Sequence, residues 1–220
     1  MDEIEMPDNE LVESMTEPIT RFSGEYAFLS NFFPCKIESG GFTFLSVEAA
    51  FQAMKCADAT EMGKFQNLTA SKAKSLGRRV RLRTDWNEVR NAFMLDFLRI
   101  KFEISAMRVQ LLQTGNRQLI EGNTWHDRYW GAELVQGEWI GHNTLGKLLE
   151  QVREEIRLEI KAEGWVELAL KGGNLSERAK RTAERVADLL MEKPKQIMDL
   201  TEFSPVMFKV WDRYLSEWLE

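Results

Sequence analysis

The chain has 220 residues, 44% hydrophobic and 29% charged, which suits a globular protein able to bury a full core. Its net charge of −6 excludes nucleic-acid binding by overall charge, leaving only a local basic patch for that purpose. No apolar run approaches the roughly 20 residues of a membrane span and no basic-then-apolar leader is present, so a cytoplasmic location without a membrane partner is expected.

Residues 1–19 hold seven acidic residues, two prolines and no basic residue, and read as a disordered leader. From Thr20 to Leu29, aromatics alternate with small and polar residues, which predicts an extended segment. Asn31 follows, set between aromatics, where it either caps a local turn or faces a ligand. A second extended run, Cys35 to Ile37, turns at Ser39-Gly40-Gly41 and returns through Phe42-Thr43-Phe44. An antiparallel β unit is therefore predicted to deliver the chain to Ser46. The two cysteines, Cys35 and Cys56, lack metal-type spacing and read as reduced thiols.

Ser46 is a good N-cap for a helix running through Lys55. Val47, Phe51 and Met54 share one stripe, and Glu48, Gln52 and Lys55 share a second, rotated by about 100°. The helix dipole favours an ionised Glu48. The second stripe is either a solvated face or a column of carboxylate, amide and ammonium available for chemistry. Further on, Thr69 or Ser71 caps Lys72 to Leu76, and Gly77 stops that helix. Lys72, Lys74, Arg78, Arg79, Arg81 and Arg83 form the densest basic cluster, a solvated face or an attractor for a phosphate-bearing substrate.

Residues 85–102 give the clearest helix, with Asp85 and Glu88 as a capping box and Trp86, Val89, Phe93, Phe97 and Ile100 as its core stripe. Ser105 to Thr114 is a short helix ended by Gly115, and Leu119-Ile120-Glu121 reads as a short strand. Residues 122–131 place Trp125, Tyr129 and Trp130 around Asp127 with no aliphatic residue. Either Asp127 caps a turn there, or acid and rings hold a base or sugar. Asn143 or Thr144 then caps a helix through Leu145, Leu148, Leu149, Val152 and Ile156, whose free amides suit a phosphate. After Gly164 come a linker at residues 171–174, a charged helix from Ser176 to Met191 and a terminal helix over 204–220. The apolar stripe of that last helix packs on the main domain, on a protein partner or on a second copy. The expected divisions are a leader (1–19), a main domain (20–163) and a helical extension (164–220).

The order and spacing of several short pieces resemble the NADAR, or YbiA-like, family over about residues 22–153. These pieces are Leu29-Ser30-Asn31-Phe32, Ser46-Val47-Glu48 with Gln52 and Lys55, Ala70-Ser71-Lys72-Ala73, and Gly77-Arg78. Then come Trp86 with Arg90 and Met94, Lys101-Phe102, Leu111-Leu112, Thr114, Asp127 before Trp130-Gly131, and Gly141, Asn143, Leu145-Gly146, Leu149 and Arg153. The resemblance implies a mostly helical α+β domain with a small antiparallel sheet. It also implies hydrolysis of the bond between a ribose C1 and a nitrogen. The associated substrates are phosphorylated riboflavin-pathway intermediates and ADP-ribose on guanine.

Breaking a C1–N bond builds positive charge on the sugar, which calls for a carboxylate, a placed water and help for the leaving nitrogen. Glu48 and Asp127 are the expected catalytic pair. Glu48 stabilises the cation and activates water, while Asp127 orients ribose hydroxyls or shares the base role. Lys55 binds phosphate or attacks an opened sugar as a Schiff-base amine. Asn31 and Gln52 bond to substrate edges. Trp130, with Trp125 or Trp86, stacks on a ring, and Asn143 sits near a phosphate. Phe32 and Gly131 complete the expected binding set. No cofactor is expected and no metal, because His126, Asp127 and His142 match no common zinc spacing. The alternative is a module that binds ADP-ribose or an NAD-like ligand without cutting it.

Overall fold

In the computed structural model, which describes residues 17–170 and side chains as far as residue 160, the chain reverses at Gly40-Gly41. Both glycines hold positive φ, +58° and +80°, a conformation open to residues without a Cβ. The reversal joins β1 (Ile37–Ser39) to β2 (Phe42–Phe44), antiparallel, with Ile37 opposite Phe44. The leader before residue 17, the 171–174 linker, the 176–191 helix and the 204–220 helix lie outside the described residues.

Ahead of this hairpin, Gly24–Leu29 is a 3-10 helix, not the extended segment expected. Phe28 and Leu29 are adjacent and both buried, which a strand facing one core cannot arrange because its side chains alternate. After the hairpin, Ser46 Oγ accepts from the Ala49 amide at 3.1 Å and starts α1 (Val47–Ala53). Every residue of α1 is buried. It packs against the first hairpin, a 3-10 helix at Ala59–Phe65, α2 (Ala70–Gly77) and α3 (Trp86–Phe102).

Thr69 Oγ1 caps α2 by accepting from the Lys72 amide at 3.4 Å. The capping box expected for α3 does not form, because Asp85 takes two bonds from the Arg83 guanidinium, at 2.6 and 2.8 Å. The core face of α3 is also rotated from the expected stripe. Trp86, Met94, Phe97, Leu98, Lys101 and Phe102 are buried, while Val89, Phe93 and Ile100 are half-buried.

The helix α4 (Ser105–Gln113) ends at Gly115, as expected. Leu119–Glu121 forms no strand of its own; it makes a single parallel bridge to Ile19. A second hairpin, β3 (Glu133–Val135) with β4 (Glu138–Ile140), turns at Gln136-Gly137 with φ of 51° and 87°. Then α5 runs from Thr144 to Leu170. Its Leu145, Leu149 and Val152 are buried, and Arg153 Nη1 donates to Thr114 Oγ1 (2.8 Å) and to the Arg117 carbonyl (3.0 Å). A second unit begins at Glu154, which pairs with Arg157 along the helix.

Over the described residues the architecture is thus α+β, about half helical, with two small antiparallel sheets. Its fully buried side chains include Phe44, Phe65, Phe97, Leu98, Phe102 and Leu149, and among them Lys101. Cys35 and Cys56 are free and buried. Among the described residues no helix is long and apolar enough to cross a membrane.

Gly146 lets the first turn of α5 press onto the neighbouring backbone. A Cβ there would lie 1.9 Å from the Leu119 carbonyl oxygen and 2.5 Å from Asn143 Nδ2. Backbone cannot swing aside as a side chain can. Gly146→Ala is therefore expected to lower stability by about 3 kcal/mol or more, read as a reduced urea midpoint with an unchanged m-value.

Candidate active site

The first turn of α1 carries Glu48 into the interior, where only 5% of it remains exposed. Its backbone amide donates to the Asn31 carbonyl at 3.0 Å, which fastens the 30–33 loop to the helix. Lys101 fastens the same loop from α3, with Nζ donating to the Ser30 carbonyl at 2.7 Å. One turn on from Glu48, Gln52 Nε2 donates to Glu48 Oε1 at 2.9 Å, the i,i+4 contact that the expected column requires. Gln52 has room because residue 77 is glycine; a Cβ there would fall 1.9 Å from Gln52 Oε1.

The column is thus enclosed by protein, not solvated. Burial pushes the Glu48 carboxyl above its usual pKa, the opposite direction to the expected dipole effect. Lys74, the Gln52 bond and Lys55 oppose that push, and Asp127 adds to it. Lys55 is half-buried, with Nζ 5.8 Å from the Phe51 ring and 5.7 Å from that of Trp86. Burial lowers its pKa, Glu48 works against this, and Lys74 and Arg78 reinforce it.

Asp127 comes from the 122–131 loop, which is tied into a fixed shape. The Asn123 side chain donates to the Asp127 carbonyl (2.8 Å) and accepts from the Asp127 amide (3.0 Å). Asp127 Oδ1 then accepts from the amides of Tyr129 (3.1 Å) and Trp130 (2.9 Å). Asp127 therefore closes a turn and also stands within electrostatic reach of Glu48. Tyr129 is held from α3, with its ring 3.7 Å from the Arg90 guanidinium carbon and its hydroxyl donating to Asn91 Oδ1 at 2.8 Å.

The remaining expected residues divide. Phe32 is 39% exposed, with Lys74 Nζ 5.2 Å from its ring. Trp130 is half-buried and meets Phe51 edge to face, 5.2 Å between centroids. Trp125 is 62% exposed. Trp86 is a packed core ring, with Phe51 at 4.9 Å and Phe93 at 6.5 Å, so it is not the open stacking plate expected. Gly131 serves packing: a Cβ there would lie 2.1 Å from the Glu121 carbonyl oxygen.

Asn143 is the clearest correction. Its Oδ1 accepts from the Glu121 amide (3.0 Å) and its Nδ2 donates to the Leu119 carbonyl (2.7 Å). The amides of Asn143, Thr144 and Leu145 donate to the carbonyls of Gly131, Tyr129 and Trp130. The helix start expected to hold phosphate is spent on the loop that carries Asp127. Asn31 also departs from a turn cap. Its Nδ2 lies 3.4 Å from Met94 Sδ, and its Oδ1 is buried without a partner. Gln52 Oε1 and Glu121 Oε2 are likewise buried and unpartnered, three polar atoms in want of a ligand or water.

Sequence reasoning assigned no site role to Lys101 or Glu121, and read Lys74 only as part of a basic cluster. Lys101 shows one usable signal, a charge on the apolar stripe of α3, seven residues after Met94. Burial pulls its pKa down to about 8, against the pull of Cys35 and Glu121. Burial, with Asp127, raises the Glu121 pKa to about 7, and Lys74 and Lys101 hold it back. Among the described residues no three His, Cys, Asp or Glu side chains cluster as metal ligands.

A raised carboxyl pKa means that the folded state favours the proton. The stability it contributes is present below the unfolded value of 4.5 and is lost as pH rises through about 7. Glu121→Gln, which never ionises, is expected to gain on the wild type by about 2–3 kcal/mol between acidic and mildly alkaline pH. Urea midpoints at the two ends of that range check this.

The NADAR domain family model matches residues 19–157. The N-glycosidase YbiA of Escherichia coli is 34% identical over 141 residues, 62% of this chain and 86% of that protein. An N-glycosidase of Nostoc punctiforme is 34% identical over 139 residues, with 60% and 86% covered. A riboflavin biosynthesis protein of Vibrio vulnificus is 34% identical over 149 residues, 65% of this chain but 40% of the longer protein. The NMR structure of Escherichia coli YbiA superposes with a TM-score of 0.57 at 33% identity, over 66% of this chain and 88% of that one.

Proposed function

Since the chain belongs to the NADAR domain family, we propose that it is an N-glycosidase that hydrolyses the bond between a ribose C1 and a base nitrogen. The substrate carries phosphate and is either ADP-ribosylated guanine or a ribosylaminopyrimidine phosphate. The relative named for riboflavin biosynthesis supports the second, within the limit that the chain spans 40% of that protein.

The observation that carries the reading is the buried Glu48 carboxyl, held by Gln52, with Asp127 in electrostatic reach and unpartnered acceptors at Asn31 and Gln52 beside it. Glu48 as carboxylate takes a proton from water and faces the positive charge that grows on the sugar. Asp127 is anchored through Oδ1, and Oδ2 is left for ribose hydroxyls. Asn31 and Gln52 accept hydrogen bonds from the substrate. Lys55, Lys74 and Arg78 supply positive charge for phosphate. Phe32 and Trp125 offer exposed rings for a base. Each of these steps runs without a metal.

Purified protein incubated with ADP-ribosyl-guanosine or a ribosylaminopyrimidine phosphate is expected to release free base, undiminished in EDTA. Glu48→Gln keeps a group of the same shape beside Gln52 and is expected to cut the rate by about 10²–10⁴-fold at an unchanged melting temperature. Full activity in that variant removes Glu48 from the chemistry. Tight calorimetric binding of ADP-ribose without base release overturns the hydrolase in favour of a ligand-binding module.

A further inference from the structure

The 30–33 loop, α1 and the 122–131 loop account for two carboxyl groups of the site, but a third stands beside them. Glu121 Oε2 is buried and has no partner within the protein. Three charged groups face this carboxyl from three elements: Lys74 of α2, Lys101 of α3 and Asp127 of the 122–131 loop. The Asn123 side chain joins the Glu121 carbonyl (3.5 Å) to the Asp127 carbonyl (2.8 Å), so Glu121 adjoins the loop whose Asp127 also acts on Glu48.

The main chain of Glu121 is fixed on both sides. Its amide donates to Asn143 Oδ1 at 3.0 Å, and its carbonyl accepts from the Ala132 amide at 3.0 Å. Gly131 packs against that same carbonyl with no space for a methyl group. Glu121 is half-buried, and this fixed backbone holds its Oε2 on the buried side. A buried carboxyl oxygen without a partner is costly unless something else in the working protein meets it.

We propose that Glu121 is a catalytic residue of the glycosidase site, the general acid that protonates the leaving nitrogen. This rests on the hydrolase reading above. As the C1–N bond breaks, its electron pair passes to the nitrogen, which takes the proton from the Glu121 carboxyl. Water adds its oxygen to C1 and gives a proton to Glu48. One water is consumed, the base leaves as N–H, and the sugar gains a hydroxyl. Glu121 and Glu48 then recover their starting states by proton exchange with solvent.

The environments of the two acids differ in the sense this division needs. Burial and the Asp127 charge push both carboxyls up, and Lys74 opposes the push at both. Glu48 Oε1 also accepts a hydrogen bond from Gln52, which favours the carboxylate, whereas Glu121 Oε2 accepts none and its carboxyl is pushed up to about 7. One group is thus better suited to hold a proton near neutrality and the other to release it.

The test is the pH dependence of kcat/KM for wild type and Glu121→Gln, from about pH 5 to about pH 9, with ADP-ribosyl-guanosine and with a ribosylaminopyrimidine phosphate. Wild-type kcat/KM is expected to fall as pH rises through about 7. The variant is expected to lose about 10²–10⁴-fold in kcat, to keep KM within about threefold and to lack that alkaline limb. An alkaline limb retained in the variant overturns the assignment, as does a kcat loss under about tenfold. Should the variant not fold, a wild-type profile flat across neutrality overturns it alone. No base release by wild type from either substrate overturns the hydrolase reading itself, and the role of Glu121 with it.

Discussion

The hydrogen bond from Gln52 to Glu48 depends on burying a carboxyl in the first turn of a seven-residue helix. Such a group costs free energy unless it is held and surrounded by compensating charge. The local structure answers each part of that demand. Ser46 caps the helix, the Asn31 carbonyl takes the Glu48 amide, and Gly77 leaves space for the Gln52 amide group. Lys74 and Lys55 supply positive charge. The 30–33 loop, α1 and α2 are thereby committed to one carboxyl, which holds it on rigid elements.

A second set of bonds ties the start of α5 to the segments before it. Asn143 joins the start of α5 to Leu119 and Glu121, and the amides of that helix start hold the 129–131 backbone. Asp127 is positioned from within by Asn123 and by its own turn. The positive end of α5 thus serves a loop of its own chain in place of a bound anion. Positive side chains act elsewhere in the fold: Lys74 acts on both Glu48 and Lys55, and Arg78 on Lys55.

Features governed by short-range rules were legible in the sequence. The Ser46 cap, the Glu48–Gln52 spacing, the Gly40-Gly41 turn and the end of α4 at Gly115 all follow from backbone geometry and helical periodicity. Features set by distant partners were not. Asn143 reads as a cap because its bonds to residues 119 and 121 span more than 20 positions. Trp86 reads as a possible stacking ring because nothing local says that Phe51 and Phe93 cover it. Asp85 matches a capping box, yet the Arg83 guanidinium outcompetes a neutral amide for its carboxylate. The β3–β4 hairpin escaped notice because its Leu134, Val135 and Ile140 are all largely exposed, which breaks the usual in-out alternation. Lys101 and Glu121 were passed over because a lone charge has no visible partner until the chain folds.

The floor and the rim of the site differ in how freely they accept change. Glu48, Gln52 and Gly77 interlock with almost no spare volume, so a new side chain there disturbs the helices that carry the chemistry. Trp125 is 62% exposed and Phe32 39%, and at exposed positions substitutions usually shift stability by only about 0.5 kcal/mol. A library that varies those two positions would accordingly keep the folded framework, whereas one that varies the interior would mostly sample damaged proteins.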